Sequence, residues 1–223
     1  METIESLLIG DYKIIQDTNL YRFTSDAVVL SRFVKAKRGE VVADFCSGSG
    51  IVGLHFYAEN TGIRSVTLFE MQEALASLSE RTIALNRLED VFSVENVRIQ
   101  DIPAAYTEKF SLILCNPPYE RGGFVRANEN AAPCCKELSL TLPELCAAVR
   151  RNLKFGGRFA LIHRADRLSE VIYTLHDNAL EPKKIQFVSG KAGADPYAVL
   201  VLAVKGGKAG TEVLPTLING ETV

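Results

Sequence analysis

The sequence predicts an α/β protein built on one mostly parallel sheet of seven strands, with helices on both faces. Three observations support this fold class. Short apolar runs alternate with amphipathic stretches along most of the 223 residues, which is typical of strand–helix repeats. A glycine-rich turn at residues 48–53 directly follows the first apolar run. The last two apolar runs have no helical pattern between them, which predicts a closing antiparallel hairpin.

Each element follows from its local pattern. The apolar runs predict strands at residues 41–45, 65–69, 94–100, 110–115, 158–163, 184–189 and 198–204. The amphipathic stretches predict helices at residues 25–37, 51–60, 72–87, 135–152 and 166–179.

The element boundaries have recognisable residues. Ser25 and Asp26 form a suitable helix start, because their side chains accept bonds from the first amides of a helix. The pair Gly156-Gly157 is expected to cap the helix that ends at residue 152. Residues 1–24 form an amino-terminal extension, with a small hairpin over the cofactor site expected at residues 7–15. Residues 25–223 then form the main domain.

Composition indicates a soluble protein of the cytoplasm. The apolar content is 47%, which is enough for one core of ordinary size. No apolar run reaches the roughly 20 residues that span a bilayer. The first residues, METIES, carry acidic side chains where a signal peptide carries basic ones. A monomer is the default expectation.

A metal site and a disulfide framework are not expected. The five cysteines contain no Cys-x-x-Cys pair, and the three histidines are scattered. The charge is unevenly distributed. Residues 1–110 have 11 basic and 16 acidic side chains, a net of −5, whereas residues 111–223 have 14 and 11, a net of +3. A basic second half is what phosphate contacts require, although solvated helix faces produce the same asymmetry.

The tetrapeptide Asn116-Pro117-Pro118-Tyr119 ends the apolar run at residues 110–115. The Asn116 carboxamide oxygen and the Pro117 carbonyl can each accept one N–H of a planar amino group, and proline keeps the turn stiff. Tyr119 can stack on the flat face of the same group. The motif resembles that of the amino-methyltransferases that modify adenine N6, cytosine N4, guanine N2 or a glutamine amide. A proline-rich turn that only closes a strand is the alternative.

The first strand leads into a turn that suits a nucleoside cofactor. Its sequence, from Asp44 to Gly53, is DFCSGSGIVG, and glycines let the backbone approach a ligand closely. The spacing Gly-x-Gly-x-x-Gly also fits a dinucleotide. Glu70 ends the second strand, where its carboxylate can bind ribose hydroxyls, and Asp101 follows the third strand, where it can meet an adenine amino group. The tetrapeptide favours S-adenosylmethionine over a dinucleotide, because it has no role in hydride transfer. Asp44 could then place the ammonium group.

Several segments together resemble the bacterial tRNA1(Val) (adenine-37-N6)-methyltransferase family. They are FTSDAVVL from Phe23, the turn from Asp44, the tetrapeptide, LIHRADRL from Leu161, PKKIQFVS from Pro182, and AVLVLAVKGG from Ala198 with a later LPTL. The resemblance implies a class I, Rossmann-like methyltransferase fold, S-adenosyl-L-methionine as cofactor, and tRNA as partner.

The candidate site residues combine both lines of reasoning. The catalytic candidates are Asn116, Pro117 and Tyr119. The cofactor-binding candidates are Phe23, Thr24, Asp26, Asp44, Cys46, Gly48, Gly50, Glu70, Met71, Asp101, Ile102 and Asn116, of which Phe23 to Asp26 follow from the resemblance alone. The candidate RNA contacts around the mouth of the site are Arg121, Arg126, Arg164, Arg167, Lys183 and Lys184.

Other functions stay open at this point. Methylation of a protein glutamine uses the same tetrapeptide, but those enzymes have a helical amino-terminal domain, and the first core strand here begins near Val41. A DNA adenine enzyme needs more than residues 120–134 to read bases. The sequence leaves a guanine-N2 rRNA methyltransferase open as a further alternative. The non-enzymatic alternative is an S-adenosylmethionine-binding module that interacts with RNA.

Overall fold

The protein is an α/β fold with one large sheet. The structure is a computed structural model that describes residues 1–7, 9–20, 24–118 and 140–219. The described strands are β1 Glu2–Ser6, β2 Lys13–Asp17, β3 Glu40–Phe45, β4 Ile63–Glu70, β5 Phe92–Asn96, β6 Phe110–Cys115, β7 Leu153–Arg164, β8 Leu180–Ser189, β9 Ala198–Lys205 and β10 Glu212–Ile218. The described helices are α1 Ser25–Phe33, α2 Ile51–Glu59, α3 Glu73–Leu85, α4 Leu142–Asn152 and α5 Leu168–Asp177.

Within the described residues the large sheet has eight strands, in the order β10-β8-β9-β7-β6-β3-β4-β5. All neighbouring pairs are parallel except those of β9, which is antiparallel to both β7 and β8. The predicted terminal hairpin is therefore confirmed. The eighth strand, β10, was not predicted. Its sequence EVLPTLI contains a proline, which disfavours a strand except at a sheet edge, and β10 lies at that edge beside β8.

Two layers of helices cover the sheet, because alternate residues of each strand face opposite sides. Val42 and Leu112 belong to one buried cluster, together with residues of α1, α2 and α3. Ala43 and Ile113 belong to a second cluster, together with residues of α4 and α5. The prediction of helices on both faces is confirmed. No helix within the described residues is both long and apolar enough to cross a membrane.

Helix α1 and strand β5 end earlier than predicted. Helix α1 ends at Phe33 rather than at residue 37, because the Ala36 amide donates to Asn60 Oδ1 and the Lys37 amide to Glu40 Oε2, at 2.9 and 2.6 Å. Strand β5 ends at Asn96, and residues Ile99–Asp101 form a single 3₁₀ turn.

The glycine pair also differs from its predicted role. Gly156-Gly157 lies inside β7 and not at a helix end. The register with β6 shifts there, from Phe110 opposite Leu153 to Leu112 opposite Arg158. Gly156 has a φ of +73°, so the pair forms a bulge that needs a left-handed residue. Of the helix predicted at 135–152, residues 142–152 are confirmed as α4, and 135–139 lie outside the described residues.

The amino-terminal strands β1 and β2 form a hairpin that packs on α3. The Ile15 amide donates to Thr82 Oγ1 at 3.1 Å. Gln16 Nε2 donates to Ser49 Oγ at 2.6 Å, so the hairpin reaches the glycine turn after β3. Its strands lie at residues 2–6 and 13–17, and the predicted segment 7–15 contains the turn between them.

Candidate active site

The carboxyl ends of three neighbouring parallel strands, β3, β4 and β6, meet at one edge of the sheet. Phe45 of β3 is paired with Phe69 of β4 and with Cys115 of β6. The residues that follow these three positions therefore lie side by side: the glycine turn, Glu70 with Met71, and Asn116. This edge is where ligands bind in open α/β sheets.

The glycine turn depends on glycine at two places for different reasons. Gly50 has a φ of +83° at the start of α2, a conformation that other residues rarely adopt. At Gly53 an added Cβ would lie 2.7 Å from Leu68 Cδ2 and 3.3 Å from Asp44 Oδ2. The close approach keeps α2 against the sheet. Beside Gly48, no atom of the described residues other than its two chain neighbours lies within 4 Å of such a Cβ, so the turn has open space there.

Asp44 is a buried carboxyl with one uncompensated oxygen. Its side chain is fully buried, and Oδ2 accepts the Gly53 amide at 2.9 Å. Oδ1 accepts no hydrogen bond from any residue that the structure describes. Burial, with a further contribution from the nearby Glu70 charge, raises the pKa of Asp44 to about 8. A buried carboxyl of this kind is stabilised as a carboxylate when a cation approaches it.

Glu70 is fixed beside the same turn. Its Oε2 accepts the Gly48 amide at 2.9 Å and its Oε1 accepts the Gln72 amide at 2.8 Å. Only 5% of the residue is exposed, and this burial raises the pKa of the carboxyl. The Met71 amide and the Gln72 side chain also interact with this carboxylate, which holds it in place beside the turn.

The remaining cofactor candidates come after β3, β4 and β5 in the chain and differ in their exposure. Cys46 is partly buried with a φ of +59°, and Met71 is 44% exposed. Asp101 is exposed at the end of its 3₁₀ turn, and Ile102 is buried. Arg151 of α4 donates to the Ile102 carbonyl at 3.3 Å, which ties this loop to the helix layer.

The amino end of α1 contains the other candidates. Thr24 precedes the helix and is exposed, whereas Asp26 is buried and its Oδ1 accepts the Tyr197 hydroxyl at 3.0 Å. Phe23 lies outside the described residues.

Asn116, Pro117 and Pro118 follow β6 and border a cleft. Asn116 and Pro118 are partly buried and Pro117 is buried, while Tyr119 lies outside the described residues. The cleft is lined by Pro117, Pro118, Leu140, Thr141, Leu142, Leu145 and His163.

His163 also lines this cleft; it belongs to the segment LIHRADRL of the family resemblance, but it is not one of the predicted site residues. It is 3% exposed at the end of β7, and its Nδ1 accepts the Arg164 amide at 2.9 Å. The neutral ring then carries its proton on Nε2. Its position at a strand end beside β6 is the signal that could have identified it.

The predicted RNA contacts occupy two separate places. Arg164 of β7 and Val188 of β8 are both paired with Ala198 of β9, so these two strands reach the carboxyl edge of the sheet at the same level. Arg164 therefore lies near this edge. Lys184 is paired with Leu202, four residues along β9 and about 13 Å away.

The side chains of these basic residues also differ in their contacts. Arg164 is half exposed and pairs with Asp166, whereas Arg167 is buried and pairs with Glu170, both at 2.5 Å. Lys183 donates to the Lys208 carbonyl, and Lys184 pairs with Glu212 at 3.3 Å. Arg121 and Arg126 lie outside the described residues.

Residues 24–170 match the family model described as the methyltransferase small domain. This match covers more than half of the chain. The chain belongs to the methyltransferase small domain family. The fold class and the family resemblance of the sequence are therefore confirmed, and S-adenosylmethionine-dependent methyl transfer is the supported activity.

Curated relatives of this methyltransferase carry the name tRNA1(Val) (adenine(37)-N6)-methyltransferase. The protein of Shewanella sediminis is 24% identical over 78% of this chain and 72% of its own length. That of Shewanella sp. (strain W3-18-1) is 28% identical over 71% and 66%, and that of Bacteroides thetaiotaomicron 23% identical over 79% and 74%. The chain thus spans about two-thirds to three-quarters of these relatives.

Solved structures show that this methyltransferase has a Rossmann-like fold. A predicted O-methyltransferase from Agrobacterium tumefaciens aligns with a TM-score of 0.70, at 22% identity over 88% of each chain. The geranyl diphosphate C-methyltransferase of Streptomyces coelicolor, solved with S-adenosyl-L-homocysteine, aligns with a TM-score of 0.58, at 16% identity over 81% of this chain and 78% of that one.

The residues of this methyltransferase fit S-adenosylmethionine. The uncompensated oxygen of Asp44 suits an ammonium group, and the open space beside Gly48 admits a ligand. No Lys or Arg lies in the turn from Asp44 to Gly53, and this donor has no pyrophosphate to neutralise.

Proposed function

We propose that the protein methylates the N6 amino group of an adenine in RNA, and that the target is adenosine 37 of tRNA1(Val). One observation carries the proposal. Asn116 directly follows Cys115, and Cys115 is paired with Phe45, the last residue of β3 before the glycine turn. The acceptors for an amino group and the candidate cofactor site are therefore neighbours. The names of the curated relatives support the choice of RNA and of position.

Asn116 and Pro117 act on the nucleophile. An adenine amino group is a weak nucleophile, since its lone pair is delocalised into the ring. Hydrogen bonds from its two N–H groups to the Asn116 Oδ1 and the Pro117 carbonyl favour a tetrahedral nitrogen, which is the form that attacks. Proton loss is easy after methyl transfer, so no strong base is required.

Binding and orientation supply the rest of the rate enhancement. Alignment of two reactants lowers a barrier by up to about 7–11 kcal/mol. The methyl donor supplies an electrophilic methyl group on a sulfonium. Glu70 would accept the ribose hydroxyls, Asp101 an adenine N–H and Asp44 the ammonium. Tyr119 would stack on the base that leaves its RNA stack, at about 1–3 kcal/mol.

Labelling identifies the substrate directly. The protein is incubated with S-adenosylmethionine labelled in its methyl group and with total tRNA, rRNA or release factor, and the products are digested and separated. We expect label in N6-methyladenosine from tRNA. Label in rRNA guanine or in protein glutamine would replace the proposed substrate. Absence of label from all three would favour a binding module.

Arg164 should contribute to RNA binding, because it is half exposed at the carboxyl end of β7, the strand beside β6. We expect Arg164→Glu to weaken tRNA binding and to reduce the slope of log affinity against log salt by about one or more, since a phosphate contact is lost. Filter binding at several salt concentrations measures both quantities.

Lys184→Glu is the matched control, because Lys184 lies about 13 Å further from the carboxyl edge and pairs with Glu212. The same charge change there should leave the salt slope close to that of the unmodified protein. Equal slopes in both variants would place the RNA elsewhere.

A further inference from the structure

A cluster of side chains joins the start of α1 to distant parts of the chain. The Tyr197 hydroxyl donates to Asp26 Oδ1 at 3.0 Å. Asn219 Nδ2 lies 2.8 Å from Ser25 Oγ and 2.6 Å from the Tyr197 hydroxyl oxygen, and donates to both. We call these four residues the α1 anchor. The site described above uses only Asp26 of the four.

The backbone of the α1 anchor is held by the sheet. The Tyr197 amide donates to the Val188 carbonyl at 3.0 Å, and the Asn219 amide donates to the Ser189 carbonyl at 2.8 Å. The Tyr197 carbonyl accepts the Ala165 amide at 3.2 Å. Tyr197 and Asn219 are thus fixed at the carboxyl ends of β7, β8 and β10.

The start of α1 lies at the same edge of the sheet as the glycine turn. The two helices α1 and α2 run side by side, as the Ser31 to His55 contact of 2.8 Å and the Arg32 to Glu59 bond of 3.0 Å demonstrate. Tyr197 and Asn219, which bind the start of α1, lie at the carboxyl edge of the sheet. The glycine turn follows β3 at the same edge.

We infer that Tyr197 and Asn219 are positioning residues that hold the amino end of α1 against the glycine turn and thereby set the affinity for the methyl donor. The inference rests on the proposed function, since it requires S-adenosylmethionine to bind at this turn. Asp26 is 8% exposed, so loss of its Tyr197 partner removes a bond that water replaces poorly. The strand β10 then has a functional role through Asn219, in addition to extending the sheet.

The test uses Tyr197→Phe and Asn219→Ala in the full chain. We expect the Kd for S-adenosylhomocysteine, measured by calorimetry, to rise about threefold to tenfold in each variant, as loss of one or two hydrogen bonds predicts. Turnover at saturating S-adenosylmethionine should stay within about twofold, because neither side chain is placed at the reacting groups. The control is Glu212→Gln, which removes the Lys184 ion pair at the other end of β10 and should leave the Kd unchanged.

The outcomes separate the inference from the proposed function. If the unmodified protein does not bind S-adenosylhomocysteine, the proposed function fails and the inference with it. If it binds and both anchor variants bind equally well, only the inference fails. An equal loss of affinity in Glu212→Gln would also overturn it, because β10 would then act through general stability. Tyr197→Phe removes a single oxygen and decides the question if Asn219→Ala does not fold.

Discussion

Replacement of Asn116 by alanine should lower the rate of methyl transfer by about 10²–10³-fold, the loss expected when one preorganised polar contact to the reacting group is removed. In the proposed mechanism the Asn116 side chain, at the carboxyl end of β6, accepts an N–H of the target amine, and alanine cannot. Single-turnover measurements with labelled donor and saturating RNA give the rate of the chemical step directly.

Cofactor affinity should respond far less to this change. The Kd for S-adenosylhomocysteine, measured by calorimetry, should stay within about threefold, since Asp44 and Glu70 are unaltered. Asn178→Ala is the matched control: Asn178 ends α5 and donates to the Thr174 carbonyl at 2.9 Å, away from the site. A normal rate of methylation in Asn116→Ala would remove Asn116 from the mechanism.

Asp44 should make the stability of the cofactor-free protein depend strongly on pH. Burial raises the pKa of its carboxyl from the ordinary 3.8 to about 8 in the folded protein. The folded state therefore retains a proton that the unfolded state loses, and this contribution to the free energy of unfolding is complete below about pH 4. It decreases as pH rises from about 4 to about 8, by a total of about 6 kcal/mol.

Asp44→Asn removes this titration and keeps an oxygen that can accept the Gly53 amide. The variant should therefore gain stability relative to the unmodified protein as pH rises, by about 1.4 kcal/mol per pH unit between pH 4 and 8. Urea denaturation of both proteins at pH 5 and pH 8 measures the difference. If the two proteins differ in unfolding free energy by the same amount at pH 5 and at pH 8, Asp44 does not have the raised pKa assigned to it.

The affinity for S-adenosylhomocysteine should rise with pH, whereas the contribution of Asp44 to stability falls. If the ammonium group of S-adenosylhomocysteine binds Asp44 as proposed, it favours the carboxylate form, and binding releases a proton. We expect affinity to rise with pH below about 8, by up to tenfold per unit, and to lose this slope in Asp44→Asn.

The fold class and the position of the candidate site follow from local sequence. The apolar run at residues 110–115 coincides with β6, and a proline turn after it has few conformations. The glycine turn after β3 is equally local, because a φ of +83° at Gly50 is a property of one residue and its neighbours. Once parallel strands are predicted, their carboxyl ends share an edge, which brings Asn116 close to the turn.

Other features depend on contacts between distant segments. The tertiary structure alone decided that β10 pairs with β8, that Asn219 meets Ser25 across 194 positions, and that Lys184 lies away from the carboxyl edge. It also decided that Oδ1 of Asp44 is buried without a donor among the described residues. The physical reason is that burial and electrostatics sum over all surrounding atoms, whereas turns and strands are governed by nearest neighbours along the chain.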